Sequence, residues 1–239
     1  MNDEGIIVGC DEKGEWLLYW WWENYSKTNS YPVFFADFGL SEKARNWCLE
    51  KGVLETCTNP FFQNNEKSIP VDRKKLWEET HGTSIWQFRH AWFKKPFACQ
   101  KSPFKKSIWI DLDCRVEKNL SELFNLLESE IDIAICKDLL TPFNFLDPSR
   151  TTYNSGVIAF TQKSSIISKW VELASHHFDD FLGDQDALSE AIIQIDAPIY
   201  ELDSIYNWSW HFPSNEETVI THFHGNGKAK LINERTQAL

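Results

Sequence analysis

Two aspartates separated by one residue, Asp111 and Asp113, close the apolar run Ser107-Ile108-Trp109-Ile110-Asp111-Leu112-Asp113. On an extended chain that spacing puts both carboxylates on one face, about 6–7 Å apart along the strand. Hard oxygen donors so placed suit one divalent cation, bound directly or through water. A cation there can bridge phosphate oxygens and offset the charge that grows on a departing diphosphate. The plain alternative is that the two acids terminate a strand and pair with Lys105 or Arg115. The pattern is common, so spacing alone leaves both readings open.

Two later segments carry similar options. In His222-Phe223-His224-Gly225-Asn226-Gly227-Lys228 an imidazole can ligate a transition metal, the glycines let backbone approach a phosphate, and the lysine offers a compact positive charge. His224 is a second candidate ligand, because it shares a face with His222 if the segment is extended. The plain version is a strand entering a glycine turn with a solvated lysine. In Gly183-Asp184-Gln185-Asp186, Asp184 can cap a helix and Asp186 can favour its first turn, or the amide and carboxylates can face a hydroxyl-rich ligand.

Short apolar runs alternating with helical patterns predict a mainly parallel sheet wrapped by helices. Strands are expected at 5–10, 32–38, 107–112, 131–136, 154–160 and 218–223. Helices are expected at 15–26, 41–51, 84–93, 164–178 and 185–193, with Ser41 as an N-cap and Gly52 as a stop. Residues 58–80, broken by Pro60 and Pro70, read as an irregular connection, and 142–150 as a loop. Trp16, Trp20, Trp21 and Trp22 read as a buried aromatic helix, since Glu15 and Glu23 flank them and no basic polar face accompanies them.

The length of 239 residues suits one large domain, 1–239. A net charge of -11 opposes binding to nucleic-acid phosphates or anionic lipid. The six cysteines contain no CxxC pair, so neither zinc-site nor redox spacing is present, and reduced cytoplasmic thiols are expected. No leader or membrane span is expected, because no window approaches about 18 apolar residues.

Taken in order, these segments resemble the retaining glycosyltransferases of family 8. In that family a strand ending in D-x-D holds manganese, an N-[AS]-G strand and a D-Q-D segment follow, and a late H-x-x-G-x-x-K completes the site. Here Asp111 and Asp113, Asn154-Ser155-Gly156, Asp184-Gln185-Asp186, and His222, Gly225 and Lys228 match in that order. The resemblance implies a GT-A fold, Rossmann-like, with a mixed, mainly parallel sheet flanked by helices. It implies transfer of a hexose from a UDP-sugar to a hydroxyl acceptor on a glycan, lipid or protein, with retention of configuration.

The same resemblance implies Mn²⁺, or Mg²⁺, on Asp111, Asp113 and His222, with Asn154 and Gly225 at the donor and Lys228 on the diphosphate. It places Asp11 against the base and Gln185 near the anomeric carbon, a place that Asp184 or Asp186 could take instead. Arg89, Lys94 and Lys95 fall where such enzymes carry a basic residue near the diphosphate. Two departures are visible: no aromatic follows Asp11 closely, and Lys228 is followed by Ala229-Lys230 rather than Pro-Trp. Two other classes are a nucleotidyltransferase, for which the acidic turn after the first strand is unsuited, and a noncatalytic sugar-binding protein of the same fold.

Overall fold

The computed structural model describes residues 3–61, 69–127, 130–140 and 151–237. The loop expected at 142–150 lies outside them. Strand β1 (Glu4–Cys10) leads through a turn into helix α1 (Trp16–Tyr25), and β2 (Val33–Asp37) into α2 (Glu42–Lys51). Trp21 is wholly buried and stacks on Tyr25 at 4.8 Å, and Trp16, Trp20 and Trp22 pack part-buried on the same core. Ser41 caps α2 by accepting from the Ala44 N–H at 3.3 Å. Its own N–H and hydroxyl donate to the Glu15 carboxylate, which ties the start of α2 to the start of α1.

Strand β3 (Val53–Thr56) follows directly and was not legible, because it is a four-residue edge with mostly exposed side chains. The stretch expected to be irregular contains helix α3 (Val71–His81). Its sequence lacks an apolar repeat, and Pro70, which reads as a breaker, immediately precedes the first turn, where a proline costs least. Ion pairs one turn apart, Lys74–Glu78 at 3.7 Å and Lys75–Glu79 at 3.8 Å, support it from the solvent side. Helix α4 (Ile85–Trp92) is close to expectation, and a short α5 (Lys95–Gln100), with Pro96 in its first turn, was not foreseen.

Strand β4 (Lys106–Ile110) stops before the aspartates. Residues 111–113 form a turn closed by the Cys114 N–H donating to the Asp111 carbonyl at 2.9 Å. The two carboxylates therefore do not share a strand face; the turn sends them to different partners. The chain continues through β5 (Cys114–Val116), α6 (Ser121–Leu126), β6 (Ile133–Lys137), β7 (Tyr153–Thr161), α7 (Ser165–His176), α8 (Asp184–Gln194) and β8 (Ile199–Glu201). It ends with β9 (Trp208–Ser209), β10 (Ile220–His222) and α9 (Lys228–Gln237).

Seven strands form one sheet in the order β3-β2-β1-β4-β7-β6-β8, in which only β7 runs against the others. Three more, β5-β10-β9, form a small second sheet. Two apolar cores cover the faces of the large sheet, one built on α1 and α2, the other on α5, α7 and α8. All six cysteines are buried and unpaired. No helix of the described residues is long and apolar enough to cross a membrane.

Candidate active site

The topology explains how residues far apart in sequence meet. The parallel strands β1 and β4 both end at the same edge of the sheet, delivering Asp11 and Asp111 there. Antiparallel β7 begins at that edge, so Asn154, Ser155 and Gly156 lie beside Asp111, whose N–H donates to the Gly156 carbonyl at 2.8 Å. In the small sheet His222 is paired with Cys114, and the Phe223 N–H donates to the Asp113 carbonyl at 2.8 Å. That pairing brings His222 across more than a hundred residues to Asp113. Together these ends, with the start of α8 and the turn before α9, wall a cleft of about 670 Å³. Asp11, Asp111, Asp113, Asn154, Asp184, Gln185, His222, Gly225 and Lys228 all line it.

Lys95 is the hub of one wall. Its Nζ lies 2.9 Å from Asp111 Oδ1 and 3.0 Å from Asp184 Oδ2, donates to Ser155 Oγ at 3.2 Å, and sits over the Trp109 ring. Burial would lower its pKa, but the Asp111 and Asp184 carboxylates outweigh burial and hold the ammonium charged. Burial, with Asp111 beside it, raises the Asp184 carboxyl, and the bonds from Lys95 and the Ser155 hydroxyl at 2.9 Å oppose that rise. Asp184 is thus the first helical residue, with Gly183 before it as cap, and is committed to Lys95 rather than to capping. By sequence Lys95 falls in one group with Arg89 and Lys94 and nothing singles it out. No sequence signal marks it, because α5 itself is not legible in the chain; its role comes from the contacts its Nζ makes with Asp111 and Asp184.

Asp113 faces the other way. Its Oδ1 lies 3.4 Å from His222 Nε2 and its Oδ2 lies 3.2 Å from Lys228 Nζ. Burial would raise its pKa, yet Lys228 and His222 hold the carboxyl far below the usual carboxylate range, so it stays ionised. Asp113 in turn raises the pKa of Lys228 against the effect of burial. Neither aspartate pairs with Lys105 or Arg115, which bind Asp3 and Glu117.

The donor set fits a divalent cation. Metal bonds of about 2.0–2.2 Å to imidazole nitrogen and carboxylate oxygen set neighbouring ligand atoms roughly 3 Å apart, close to the separation of Asp113 and His222. Cys114 lies in the same cluster, with donor atoms within 4.8 Å of one another. Burial keeps its thiol protonated, and a neutral thiol is a poor ligand for a hard cation. Charge points the same way: the cleft is lined by six carboxylates and three lysines, a balance that repels an anionic ligand lacking a counter-cation.

The remaining residues sort by their contacts. Gln185 donates from Nε2 to Asp138 at 2.7 Å and accepts the Ser155 N–H at 3.3 Å, so its amide is held rigidly at the cleft wall. Asp11 Oδ1 accepts from the Lys13 and Gly14 N–H groups at 3.1 and 3.2 Å, bracing its own turn. Gly225 has φ +59°, with open space where a Cβ would be. Gly227 instead packs against Trp210, whose Nε1 lies 2.5 Å from the position of a Cβ. Arg89 is not at the site: it donates to the carbonyls of Phe178, Phe181 and Leu182, all at 2.8 Å. Lys94 donates to the Phe38 carbonyl at 2.6 Å. His224 bonds Ser209 Oγ through Nε2 at 2.8 Å, and burial with His222 and His211 nearby lowers it to about 4, so His222 is the histidine turned to Asp113.

Asp186 yields a pH prediction. Burial raises its carboxyl to about 6, with Asp184 and Asp138 adding to the rise, although it accepts the Gly183 N–H at 3.3 Å. The folded value lies above the unfolded one, so the folded state holds this proton more tightly, and the penalty appears as pH rises through about 6. Asp186→Asn, which still accepts from Gly183, is expected to stabilise the protein by about 1–2 kcal/mol near pH ~7 and hardly at all near pH ~4. Urea midpoints at the two pH values check this; equal shifts at both would refute it.

No protein-family model and no curated protein sequence matches the chain. Solved structures do. A galactosyltransferase, LgtC, in complex with donor and acceptor sugar analogs superposes with a TM-score of 0.64 at 13% identity, over 92% of this chain and 87% of that one. Mouse xyloside xylosyltransferase 1 in its apo form gives 0.61 at 15% identity, over 95% and 99%. The chain has the GT-A fold. The glycosyltransferase GlyE of Streptococcus pneumoniae gives 0.63 at 15% identity, over 93% of this chain but 55% of that one. In this chain's GT-A fold, the cleft opens where β1 and β4 end, the position at which open α/β sheets gather ligands.

Proposed function

We propose that this protein is a metal-dependent glycosyltransferase that transfers a hexose from a UDP-sugar to a hydroxyl acceptor with retention, and that residues 1–239 form one catalytic domain. The observation that carries the reading is the convergence of Asp113, His222 and Lys228 in the wall of an acid-lined cleft in a GT-A fold. Mn²⁺, or Mg²⁺, would be held by Asp113 and His222; Asp111, whose carboxylate is bound by Lys95 and the Trp109 Nε1–H, would join as third ligand by exchanging one of those partners for the cation. When bound, the cation neutralises diphosphate oxygens and the charge that gathers on the leaving nucleotide.

The chain's own groups do the rest. Lys228, half exposed at the start of α9, reaches the diphosphate as its bond to the glycosyl carbon breaks. Gln185 and Asp184 line the donor-sugar wall, their positions set by Ser155, Asp138 and Lys95, so that the anomeric carbon meets fixed dipoles. Asn154 and the open backbone at Gly225 flank the donor, and Asp11 stands at the base end. Six unpaired thiols support a reducing compartment such as the cytoplasm.

The test is UDP release from a panel of UDP-sugars with and without Mn²⁺, alongside Mn²⁺-dependent UDP binding. The reading expects metal-dependent release from at least one UDP-hexose. No release and no metal-dependent binding across the panel would overturn it.

A further inference from the structure

Asn207 belongs to none of the sequence motifs, yet it is bonded to His222 and to Asn154. It closes the short helical turn Ser204–Asn207, two residues before Ser209, the β9 partner of His222. The turn is held firmly: Asp203 caps it by accepting from the Ile205 N–H at 3.0 Å, and the Ile205 carbonyl accepts from Val219 at 2.9 Å.

We propose that Asn207, oriented by Asn154, holds the Nδ1 hydrogen of His222 in place, so that Nε2, which faces Asp113, is the nitrogen that gives up its proton to a cation, making Asn207 a positioning residue of the cation site. The inference rests on the metal reading above for its purpose, but its geometry stands apart from it. The polarity is set from a group that admits one orientation only. The Gly156 backbone N–H donates at 2.9 Å to the Asn154 side chain, so the atom there is the carbonyl oxygen Oδ1. Asn207 meets that same oxygen at 2.8 Å and must present its NH₂ to it. The Asn207 oxygen is thereby turned to His222 Nδ1 at 2.9 Å, and an amide oxygen only accepts. His222 Nδ1 therefore carries the hydrogen, and Nε2 is the nitrogen left to take a proton or a metal.

Gly156 makes the arrangement sterically feasible. A Cβ there would lie 2.4 Å from His222 Cε1 and 2.7 Å from its Nδ1. The segment Asn154-Ser155-Gly156 thus serves His222 twice, by supplying the oxygen that polarises Asn207 and by leaving room for the ring.

Two readouts test this. Long-range ¹H–¹⁵N correlation on histidine-labelled, metal-free protein is expected to show a hydrogen on His222 Nδ1, whether or not Nε2 carries a second one. Titration calorimetry with Mn²⁺ is expected to show Asn207→Ala weakened by about 10–100-fold, with a mixed tautomer. Asn207→Asp, whose carboxylate accepts as the amide oxygen did, keeps the tautomer and loses less affinity. A wild-type His222 with no hydrogen on Nδ1 overturns the proposal, as does an Asn207→Ala protein with unaltered Mn²⁺ affinity and tautomer. The wild-type spectrum decides the matter even if the alanine variant does not fold. A wild-type protein with the expected tautomer and no Mn²⁺ binding sustains the relay and refutes the metal site instead.

Discussion

Lys95→Met is expected to lower stability by about 3–5 kcal/mol, because it leaves two carboxylates facing one another in a site from which water is largely excluded. Lys95 and Asp184 each have side chains 7% exposed, and Lys95 is the cation placed between Asp184 and Asp111. For a chain of this length the thermal midpoint should fall by roughly 6–20 °C. Methionine keeps a long apolar side chain and gives up only the ammonium that lies over Trp109, so the loss reports the charge and not the packing. The double variant Lys95→Met/Asp184→Asn should recover part of the deficit, since one of the stranded charges is gone, and that coupling separates electrostatics from a general packing defect. Transfer activity should drop about 100-fold even where the variant is folded, as Asp111 and Asp184 lose the positions Lys95 sets. A melting midpoint within about 2 °C of wild type, less than the shift expected for 1 kcal/mol, would show that the two acids tolerate one another and that Lys95 is not the hub.

Asp113→Asn is expected to abolish Mn²⁺-dependent UDP binding while leaving the fold intact. The variant removes the ligand oxygen opposite His222 and the counter-ion of Lys228. Lys228 is half exposed and can return to solvent, so the cost is confined to the contacts of the buried Asp113 and should be about 1–3 kcal/mol. His222→Ala should produce the same binding loss by removing the other ligand. Calorimetry with UDP in the presence and absence of Mn²⁺, with circular dichroism for the fold, checks both. Retention of metal-dependent UDP binding by both variants would move the cation elsewhere in the cleft. Lys228→Ala, by contrast, should keep metal binding and lower turnover by about 10²–10³-fold, the scale seen for removal of one charge-stabilising donor.

Much of the fold could be read from the chain, and the gaps have identifiable physical causes. β1, β2, β4, β6 and β7 announced themselves because both faces of the sheet are covered, which demands continuous apolar runs. The edge strand β3 and the charge-rich α3 carried no such demand, since most of their side chains meet water. Helix α5 is six residues long, too short to show an apolar repeat. The ends of β4 were misjudged for a related reason: Leu112 is buried and apolar, so the run reads as strand although the backbone has already turned.

The residue types at the cleft are legible along the chain: acids after two apolar strands, a histidine and lysine late in the chain, and an amide and acid opening a helix. Those are local facts, and the sheet edge gathers them because parallel strands must end on the same side. Which of these residues pair with one another is set by the packing of the folded chain. Asp111 goes to Lys95 and Asp113 to His222 because a turn, not a strand, separates them. His222 rather than His224 faces the site, and Asn207 sets its tautomer, because β10 is paired with β5 on one side and β9 on the other. Pairings across a hundred residues depend on strand register and on the direction each side chain leaves the backbone, and neither is written in the spacing of letters along the chain.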